Sequence, residues 1–171
     1  MKGYIQVYTG DGKGKTTAAL GLAMRAFGAG LNTFMAQFVK GMKYSEQVTF
    51  KVLSEHLTVR QYGRGCFIKG EPAEEDVKAA REGLKEVKKI MLSGKYQMLI
   101  LDEANIATFY NLFSVDDLLE LIKQKPDDVE LIITGRRADL RIIEAADLVT
   151  EMREIKHYYQ QGVVARVGIE K

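Results

Sequence analysis

The sequence has few of the residues that build covalent or metal-based cross-links. It contains one cysteine, Cys66, and two histidines, His56 and His157, in 171 residues. A single cysteine excludes an intrachain disulfide and a zinc site built from several cysteines, and the two histidines lack the short spacing of metal ligands. We therefore expect both histidines to be structural or surface residues, and Cys66 to be a small buried side chain rather than a nucleophile.

Long apolar runs and an excess of one charge sign are also missing. No stretch of about 18 uncharged apolar residues occurs, so we expect no membrane-spanning helix, and residues 1–3 do not open a signal peptide. Lys and Arg number 25 against 23 Asp and Glu, which gives a net charge of +2. This balance offers no basic footprint for nucleic acid. We expect a cytoplasmic protein whose partners include neither a membrane nor a nucleic acid.

The composition is that of an ordinary globular chain. Hydrophobic residues make up 46% and charged residues 28%, and no repeat, low-complexity tract or linker interrupts them. Both the length and this uniformity fit one domain. We predict a single domain over residues 1–171.

Short apolar segments alternate along the chain with segments of helical pattern. Such alternation favours a three-layer α/β fold in which helices cover both faces of a mainly parallel central sheet. The predicted strands are residues 4–8, 33–39, 57–62, 97–101, 129–133, 148–152 and 163–169. The predicted helices are residues 18–27, 72–92, one that Ser114 caps, and 138–146, while residues 45–53 are left open between helix and loop.

Two of these helices carry clear signals at their ends. Pro72 suits the first helical position of the longer one, and Ser114 with Asp117 three residues later predicts a capping box at the start of the other. The longer helix also has apolar residues at helical spacing, which predicts one face turned to the sheet. These residues are Val77, Ala80, Leu84, Val87 and Met91.

Residues 9–17, Thr-Gly-Asp-Gly-Lys-Gly-Lys-Thr-Thr, form the most informative motif. A Walker A loop, or P-loop, turns backbone N–H groups toward phosphate oxygens and adds a lysine for phosphate charge and a hydroxyl for Mg²⁺. Lys15 and Thr16 occupy those two positions between a strand and a helix, although Thr9 stands where the strict pattern has glycine. We predict a P-loop NTPase (RecA-like) fold and a triphosphate site. Its residues are Gly10, Asp11, Gly12, Lys13, Gly14, Lys15, Thr16 and Thr17.

The segment 98–103 predicts a Walker B strand, because an apolar run ends in Asp102 and Glu103. An acidic residue at the carboxyl end of a neighbouring strand can reach the Mg²⁺ that Thr16 would hold. The alternative is that Asp102 caps the next helix. Glu103 also has two interpretations, since it would activate water in an ATPase and would only hold metal in another chemistry.

Three further basic residues lie in or near the predicted site. Lys13 adds a second positive charge to the loop, or is a solvated lysine. Arg136 and Arg137 follow the strand 129–133, and ligands of such sheets bind at the carboxyl ends of the strands. We expect one of these arginines to contact phosphate or ribose, and we favour a surface position for Arg137.

Several segments together resemble the P-loop ATP:corrinoid adenosyltransferases, also called cob(I)alamin adenosyltransferases. Thr9 in place of the usual glycine is shared with that family, and the resemblance covers nearly the whole chain in order. The matching segments are residues 8–19, 37–41 (Gln-Phe-Val-Lys-Gly), 101–103 (Leu-Asp-Glu), 133–136 (Ile-Thr-Gly-Arg), 156–157 and 168–169.

This resemblance implies chemistry at the sugar of ATP. In that family a reduced corrinoid, Co(I), attacks the 5′ carbon of ATP, the adenosyl group moves to cobalt, and inorganic triphosphate leaves. The resemblance implies that Lys15, Thr16 and Glu103 are catalytic, because three phosphates that leave together need their charge neutralised together. Thr16 and Glu103 would then join Asp102 as ligands of Mg²⁺ or Mn²⁺, with no water to activate.

The resemblance also implies partners and outer contacts. By position, Arg25 and Arg136 would lie near the nucleoside or the phosphates. ATP and a reduced corrinoid would be the substrates, a second copy would complete a homodimer, and a reductase is a candidate source of electrons. Some family members carry an N-terminal extension that folds over the site, and we expect that lid to be absent here or supplied otherwise. Some members also place aromatic residues in the loop after the third strand, where residues 63–68 contain only Phe67.

Two other functions remain open. A conventional ATPase or small-molecule kinase rests on the two Walker motifs alone and would release ADP. A nucleotide-dependent binding protein would bind ATP without turnover. The presence of Lys15, Thr16, Asp102 and Glu103 argues against a chain that has lost catalysis.

Overall fold

The computed structural model describes residues 2–41, 45–63 and 70–170, apart from the side chain of Gln47. The strands are β1 (Ile5–Thr9), β2 (Thr33–Gln37), β3 (Leu57–Gln61), β4 (Met98–Asp102), β5 (Glu130–Thr134) and β6 (Leu148–Glu151). The helices are α1 (Lys15–Gly28), α2 (Glu46–Val52), α3 (Glu74–Met91), α4 (Ala104–Phe109), α5 (Val115–Lys123) and α6 (Leu140–Glu144), followed by one 3₁₀ turn (Tyr158–Gln161).

The six strands form one sheet in the order β3-β2-β4-β5-β1-β6, and every neighbouring pair is parallel. The register pairs Gln37 of β2 with Asp102 of β4, and Tyr8 of β1 with Thr134 of β5, so the carboxyl ends of the strands meet at one edge. The prediction of a parallel central sheet is confirmed. One expectation is wrong: β4 does not neighbour β1, because β5 lies between them.

Helices cover both faces of the sheet, because alternate strand residues point to opposite sides. On one face α1 and α2 pack against residues that include Met35, Ile100 and Ile132. On the other face the helices from α3 onward pack against a second set. The buried strand side chains of this second set are Val7, Phe34, Ala36, Leu99, Leu101, Leu131 and Ile133.

The longest helix confirms its predicted face. Of the apolar stripe, four residues are buried in α3 and Val77 is partly buried against the core. Pro72, however, is not the first helical position, since α3 begins at Glu74 with Ala73 as its cap. The proline instead precedes the cap, where its fixed φ ends the preceding loop.

Other predicted bounds differ in ways that have physical causes. Helix α1 begins at Lys15 rather than at residue 18, because its cap is Gly14 of the loop itself. Residues 45–53 contain helix α2, and the short helix α4 directly follows Glu103. The prediction of a strand over residues 163–169 is wrong: that segment is irregular and ends in a turn.

Helix α5 has the predicted capping box. Ser114 Oγ accepts a hydrogen bond from the N–H of Asp117 at 3.0 Å, and the Asp117 carboxylate accepts one from the N–H of Ser114 at 2.9 Å. Both donors would otherwise be unsatisfied at a helix start. Among the described residues, none of the helices combines the length and the apolar character that crossing a bilayer needs.

Candidate functional site

The phosphate-binding loop follows β1 and ends where α1 begins. Gly10 and Gly14 have φ angles of 92° and 121°, which a side chain would strain. The N–H of Gly12 donates to the carbonyl of Met152 at 2.7 Å, so the chain after β6 packs on the loop. Thr9, in the position of the usual glycine, is buried, and its Oγ1 accepts a hydrogen bond from the N–H of Ala138 at 3.3 Å. The threonine therefore ties the loop to the segment after β5.

Lys15 lies folded back over this loop. Its ammonium donates to the carbonyls of Gly10 and Gly12, each at 2.7 Å, and the residue is buried. Burial lowers the pKa of Lys15, and the nearby charge of Arg136 lowers it further, while the charge of Glu103 acts in the opposite direction. The ammonium is thus held by carbonyls that phosphate oxygens could replace.

Asp102 is the centre of the hydrogen-bond network at the end of β4. It is fully buried, and its Oδ1 accepts hydrogen bonds from the hydroxyls of Thr16 at 2.8 Å and Thr134 at 2.7 Å. Its Oδ2 accepts from Lys40 Nζ at 2.7 Å and from Gln37 Nε2 at 3.4 Å. A carboxylate has about four lone-pair sites, so these donors occupy them all. The alternative that Asp102 only caps α4 is not supported, since Glu103 occupies the cap position.

Thr134, at the end of β5, forms hydrogen bonds with both acidic residues at the end of β4. It is the last residue of β5, the strand that separates β4 from β1, and it is fully buried. Its hydroxyl donates to Asp102 and accepts a hydrogen bond from the N–H of Glu103 at 3.0 Å. One side chain therefore fixes both acidic residues of the predicted Walker B motif.

Lys40 is a second cation within the network. It follows Val39, whose φ of 62° turns the chain just beyond the end of β2. Its ammonium pairs with Asp102 and lies 3.4 Å from the hydroxyl of Thr16. Burial alone would lower the pKa of Lys40, but the charge and the hydrogen bond of Asp102 outweigh burial, so the pKa is raised.

Glu103 has a different environment from Asp102. Its φ of 61° is in the left-handed region, which is unusual for a residue other than glycine. Within the described part of the chain, its carboxylate has no hydrogen bond or ion pair. Burial and the charge of Asp102 raise the pKa of Glu103, while Lys40 and Lys15 oppose that rise. A largely buried carboxylate without a partner among the described residues suits a hard cation such as Mg²⁺.

The residues near this position do not form a cage for a metal. Among the described ranges 2–41, 45–63 and 70–170, no group of three or more Asp, Glu, His or Cys side chains is placed to hold an ion.

Lys13 is engaged by the C-terminal segment. Its ammonium donates to the carbonyl of Ile169 at 3.0 Å and lies 3.6 Å from the carboxylate of Glu170. Glu170 is in turn bonded to Arg166 and to the hydroxyl of Tyr158. Hydrogen bonds from Arg166 and Tyr158 lower the pKa of Glu170 to about 2. Thus the irregular C-terminal tail lies against the loop.

The predicted arginines fall in three different places. Arg136 is exposed but near enough for its charge to act on the pKa of Lys15 and of Glu103. Arg137 lies over the ring of Phe109, 4.3 Å from its centroid, which agrees with the surface position that we favoured. Arg25 is in the last turn of α1, about 15 Å along the helix axis from its start. The structure therefore does not bring Arg25 to the loop.

Of the remaining predicted loop residues, Asp11 lies within the loop and Thr17 in the first turn of α1, and both are exposed. Three residues that contact Asp102 were not predicted from the sequence, namely Gln37, Lys40 and Thr134. Each lies inside a segment that carried the family resemblance, which was the available signal.

An aromatic residue, Tyr62, directly follows β3. Tyr62 stacks on Phe38 with ring centroids 5.7 Å apart, and its hydroxyl donates to Glu86 at 2.9 Å. A side chain at Gly83 would meet the Tyr62 ring at 2.5 Å, so Tyr62 packs into the fold rather than projecting from it. Cys66 and Phe67 lie outside the described residues.

Two solved structures share this fold. A KaiC-like protein, PH0186, from Pyrococcus horikoshii OT3 aligns with a TM-score of 0.59 and 14% identity over 91% of this chain and 74% of that chain. The RadB recombinase aligns with a TM-score of 0.59 and 12% identity over 91% and 77% of the two chains. At such identities the likeness concerns the fold alone, and it confirms the predicted RecA-like P-loop fold.

Relatives in sequence are more informative. Residues 1–170 match the family described as ATP:corrinoid adenosyltransferase BtuR/CobO/CobP. Corrinoid adenosyltransferases from Escherichia coli K12 and Pseudomonas aeruginosa are 33% and 32% identical, over 99% of this chain and 86% and 84% of theirs. One from a Sinorhizobium species is 35% identical over 99% of this chain and 80% of its own length. This chain therefore belongs to the ATP:corrinoid adenosyltransferase family of transferases.

Proposed function

We propose that this chain transfers the 5′-deoxyadenosyl group of ATP to the cobalt of a reduced corrinoid and releases triphosphate. The observation that carries this proposal is the family match over residues 1–170. In the reaction, Co(I) supplies the electron pair of the new Co–C5′ bond. The C5′–O5′ bond breaks, and its electron pair leaves with the triphosphate, so cobalt is formally oxidised by two electrons.

The loop geometry supports the leaving-group half of this reaction. Lys15 is already placed over the loop, and the positive φ angles of Gly10 and Gly14 permit the backbone to face an anion. We propose that the triphosphate replaces the two carbonyls as the partner of Lys15, and that Lys13 adds a second charge. Charge that develops on all three phosphates is then met by fixed cations, which cost no reorganisation during the reaction.

We propose that Mg²⁺ or Mn²⁺ joins the site with the nucleotide, held by Thr16 and Glu103. When bound, the metal would neutralise part of the triphosphate charge. The support is twofold: the Glu103 carboxylate is largely buried and has no partner among the described residues, and Asp102 orients the Thr16 hydroxyl. Asp102 belongs to the same site, but its oxygens are taken by other donors.

The product of ATP cleavage tests the proposed reaction. Anaerobic incubation of the chain with ATP, Mg²⁺ and chemically reduced cobalamin should give inorganic triphosphate and a light-sensitive Co–C product. Lys15→Met should abolish both products, whereas Lys85→Met, at an exposed position on α3, serves as the matched control and should keep them. Release of ADP or pyrophosphate without the Co–C product would instead support a conventional ATPase or kinase.

We further propose a single-domain protein that forms a homodimer. Support comes from β6, an edge strand whose residues are all exposed, Leu148 and Val149 among them. Unpaired strand edges with apolar side chains are common contact sites between chains. Light scattering at several concentrations tests the dimer. A cytoplasmic location and a reductase that supplies electrons remain proposals from the sequence and the resemblance.

A further inference from the structure

The ion pair between Lys40 and Asp102 lies beside the Thr16 hydroxyl. Lys40 Nζ is 2.7 Å from Asp102 Oδ2 and 3.4 Å from the hydroxyl of Thr16, and only 14% of the Lys40 side chain is exposed. A cation bound at the Thr16 hydroxyl would therefore have a positively charged ammonium as a close neighbour, in a setting that water screens poorly.

The surrounding donors make this arrangement rigid. Asp102 also accepts hydrogen bonds from Thr16, Thr134 and Gln37. Since its lone-pair sites are filled and it is fully buried, Asp102 cannot turn to a metal without breaking one of these bonds. Lys40 thus neutralises Asp102 and leaves Glu103 as the nearby carboxylate that has no described partner.

We propose that Lys40 is a positioning residue that makes metal binding conditional on the triphosphate. Without nucleotide, its ammonium repels a free divalent cation from the Thr16 hydroxyl. With nucleotide, the same ammonium faces the added negative charge of the phosphates and stabilises the metal–triphosphate complex. The inference rests on the triphosphate binding of the proposed function, but it needs no corrinoid and no transfer step.

The proposal predicts effects of opposite sign for one substitution. Lys40→Gln removes the charge and keeps a hydrogen-bond donor for Asp102. Compared with the unchanged chain, it should bind Mn²⁺ alone about tenfold more tightly and Mn²⁺ with inorganic tripolyphosphate about tenfold more weakly, where tenfold corresponds to about 1.4 kcal/mol. Electron paramagnetic resonance of free Mn²⁺ measures both affinities. A residue that only supported the fold would change both in the same direction.

Two further variants keep the test decisive. Lys40→Arg retains the charge and should bind Mn²⁺ alone as weakly as the unchanged chain, even if Lys40→Gln is too unstable to measure, as removal of one partner from a buried pair can cause. The ammonium of Lys13 pairs with Glu170 rather than with Asp102. Lys13→Met should therefore weaken the binding of tripolyphosphate without changing the affinity for Mn²⁺ alone.

The outcomes are separable from those of the transferase assay. If Lys40→Gln weakens both affinities or changes neither, or if Lys40→Arg binds free Mn²⁺ tightly, the proposal is wrong. If the affinities shift in opposite directions while no Co–C product forms, the role of Lys40 stands and the proposed reaction fails.

Discussion

Gly12 donates its backbone N–H to the carbonyl of Met152 at 2.7 Å, which places the chain after β6 directly on the phosphate-binding loop. A Cβ atom added at Gly12 would lie 2.7 Å from that carbonyl oxygen and 2.8 Å from the carbonyl carbon of Arg153. Both neighbours are backbone atoms, which cannot move aside like the end of a side chain. The glycine is therefore required by this contact.

We expect Gly12→Ala to lower the free energy of unfolding by about 1–3 kcal/mol, because the loop and the segment after β6 must separate. ATP affinity should fall as well. Gly21→Ala is the matched control: Gly21 is inside α1 with no atom within 4 Å of the added methyl group, so the change should stabilise the helix by about 0.5–1 kcal/mol. Urea denaturation measures the free energy of unfolding of both variants. An unchanged midpoint for Gly12→Ala would contradict the packing described.

The raised pKa of Glu103 predicts a pH-dependent effect of Glu103→Gln in the absence of metal. Because burial raises the pKa above its ordinary 4.5, the carboxyl contributes stability below pH 4.5 that is lost as the pH rises through the raised value. At neutral pH, Glu103→Gln should therefore melt at a higher temperature than the unchanged chain, by about 2–4 °C for each kcal/mol gained. Below pH 4.5 the difference should disappear.

Bound metal should reverse the order of the melting temperatures of the unchanged chain and Glu103→Gln. With Mn²⁺ and ATP, the unchanged chain should gain stability by ligand binding, and Glu103→Gln should gain much less. Differential scanning calorimetry at two pH values, with and without Mn²⁺–ATP, gives all four comparisons. A Glu103→Gln protein that melts below the unchanged chain at neutral pH without metal would show that the carboxylate is not the unfavourable group described above.

The contact of Glu170 with Lys13 predicts competition with phosphate. Lys13 has 40% of its side chain exposed, and an ion pair this open to water is weak. Glu170→Gln should therefore raise ATP affinity by roughly 1.5- to 5-fold, since Lys13 loses a competing carboxylate. Isothermal calorimetry of Glu170→Gln, Lys13→Met and the double variant forms a mutant cycle. An equal gain from Glu170→Gln in the Lys13→Met background would assign the effect to another residue.

The capping box of α5 predicts a change in stability that leaves the site untouched. Ser114→Ala should cost about 1 kcal/mol in the free energy of unfolding, because the N–H of Asp117 loses its acceptor. Asp116 is the residue before Asp117, and its carboxylate is 80% exposed. Asp116→Asn should therefore lower the free energy of unfolding by less than about 0.5 kcal/mol. Both variants should retain the ATP affinity of the unchanged chain, as measured by the same calorimetry.

Local signals in the sequence were sufficient to predict the position of the loop and of most helices. Residues 9–17 are contiguous, so their chemistry and order alone predict the site that Lys15 and Thr16 now occupy. The stripe of α3 repeats at helical spacing, and one buried face follows from it. These features depend only on neighbours along the chain.

The contacts of Asp102 could not be predicted in the same way. Lys40 is separated from Asp102 by 62 positions and Thr134 by 32. Their meeting depends on strand order, in which β4 lies between β2 and β5, and on the register that pairs Gln37 with Asp102. Apolar patterns identify the strands but do not order them.

The tail shows how local propensity can mislead. Residues 163–169 include three valines, which favour a strand. No strand edge accepts them in the described residues, and the segment turns so that Glu170 reaches Arg166 and Tyr158. Side-chain pairing in the tail outweighs the β-propensity of its valines.

Three adjacent strands, β2, β4 and β5, are each followed within three residues by a residue with a left-handed backbone conformation. These residues are Val39, Glu103 and Arg137. Each such residue costs about 1–3 kcal/mol relative to an unstrained backbone. Glycine at these positions would relieve the backbone strain, but at Val39 it would also remove a side chain that packs against the core. The strain accompanies function, because Val39 and Glu103 direct Lys40 and the acidic pair into the site, and a relaxed backbone would release them.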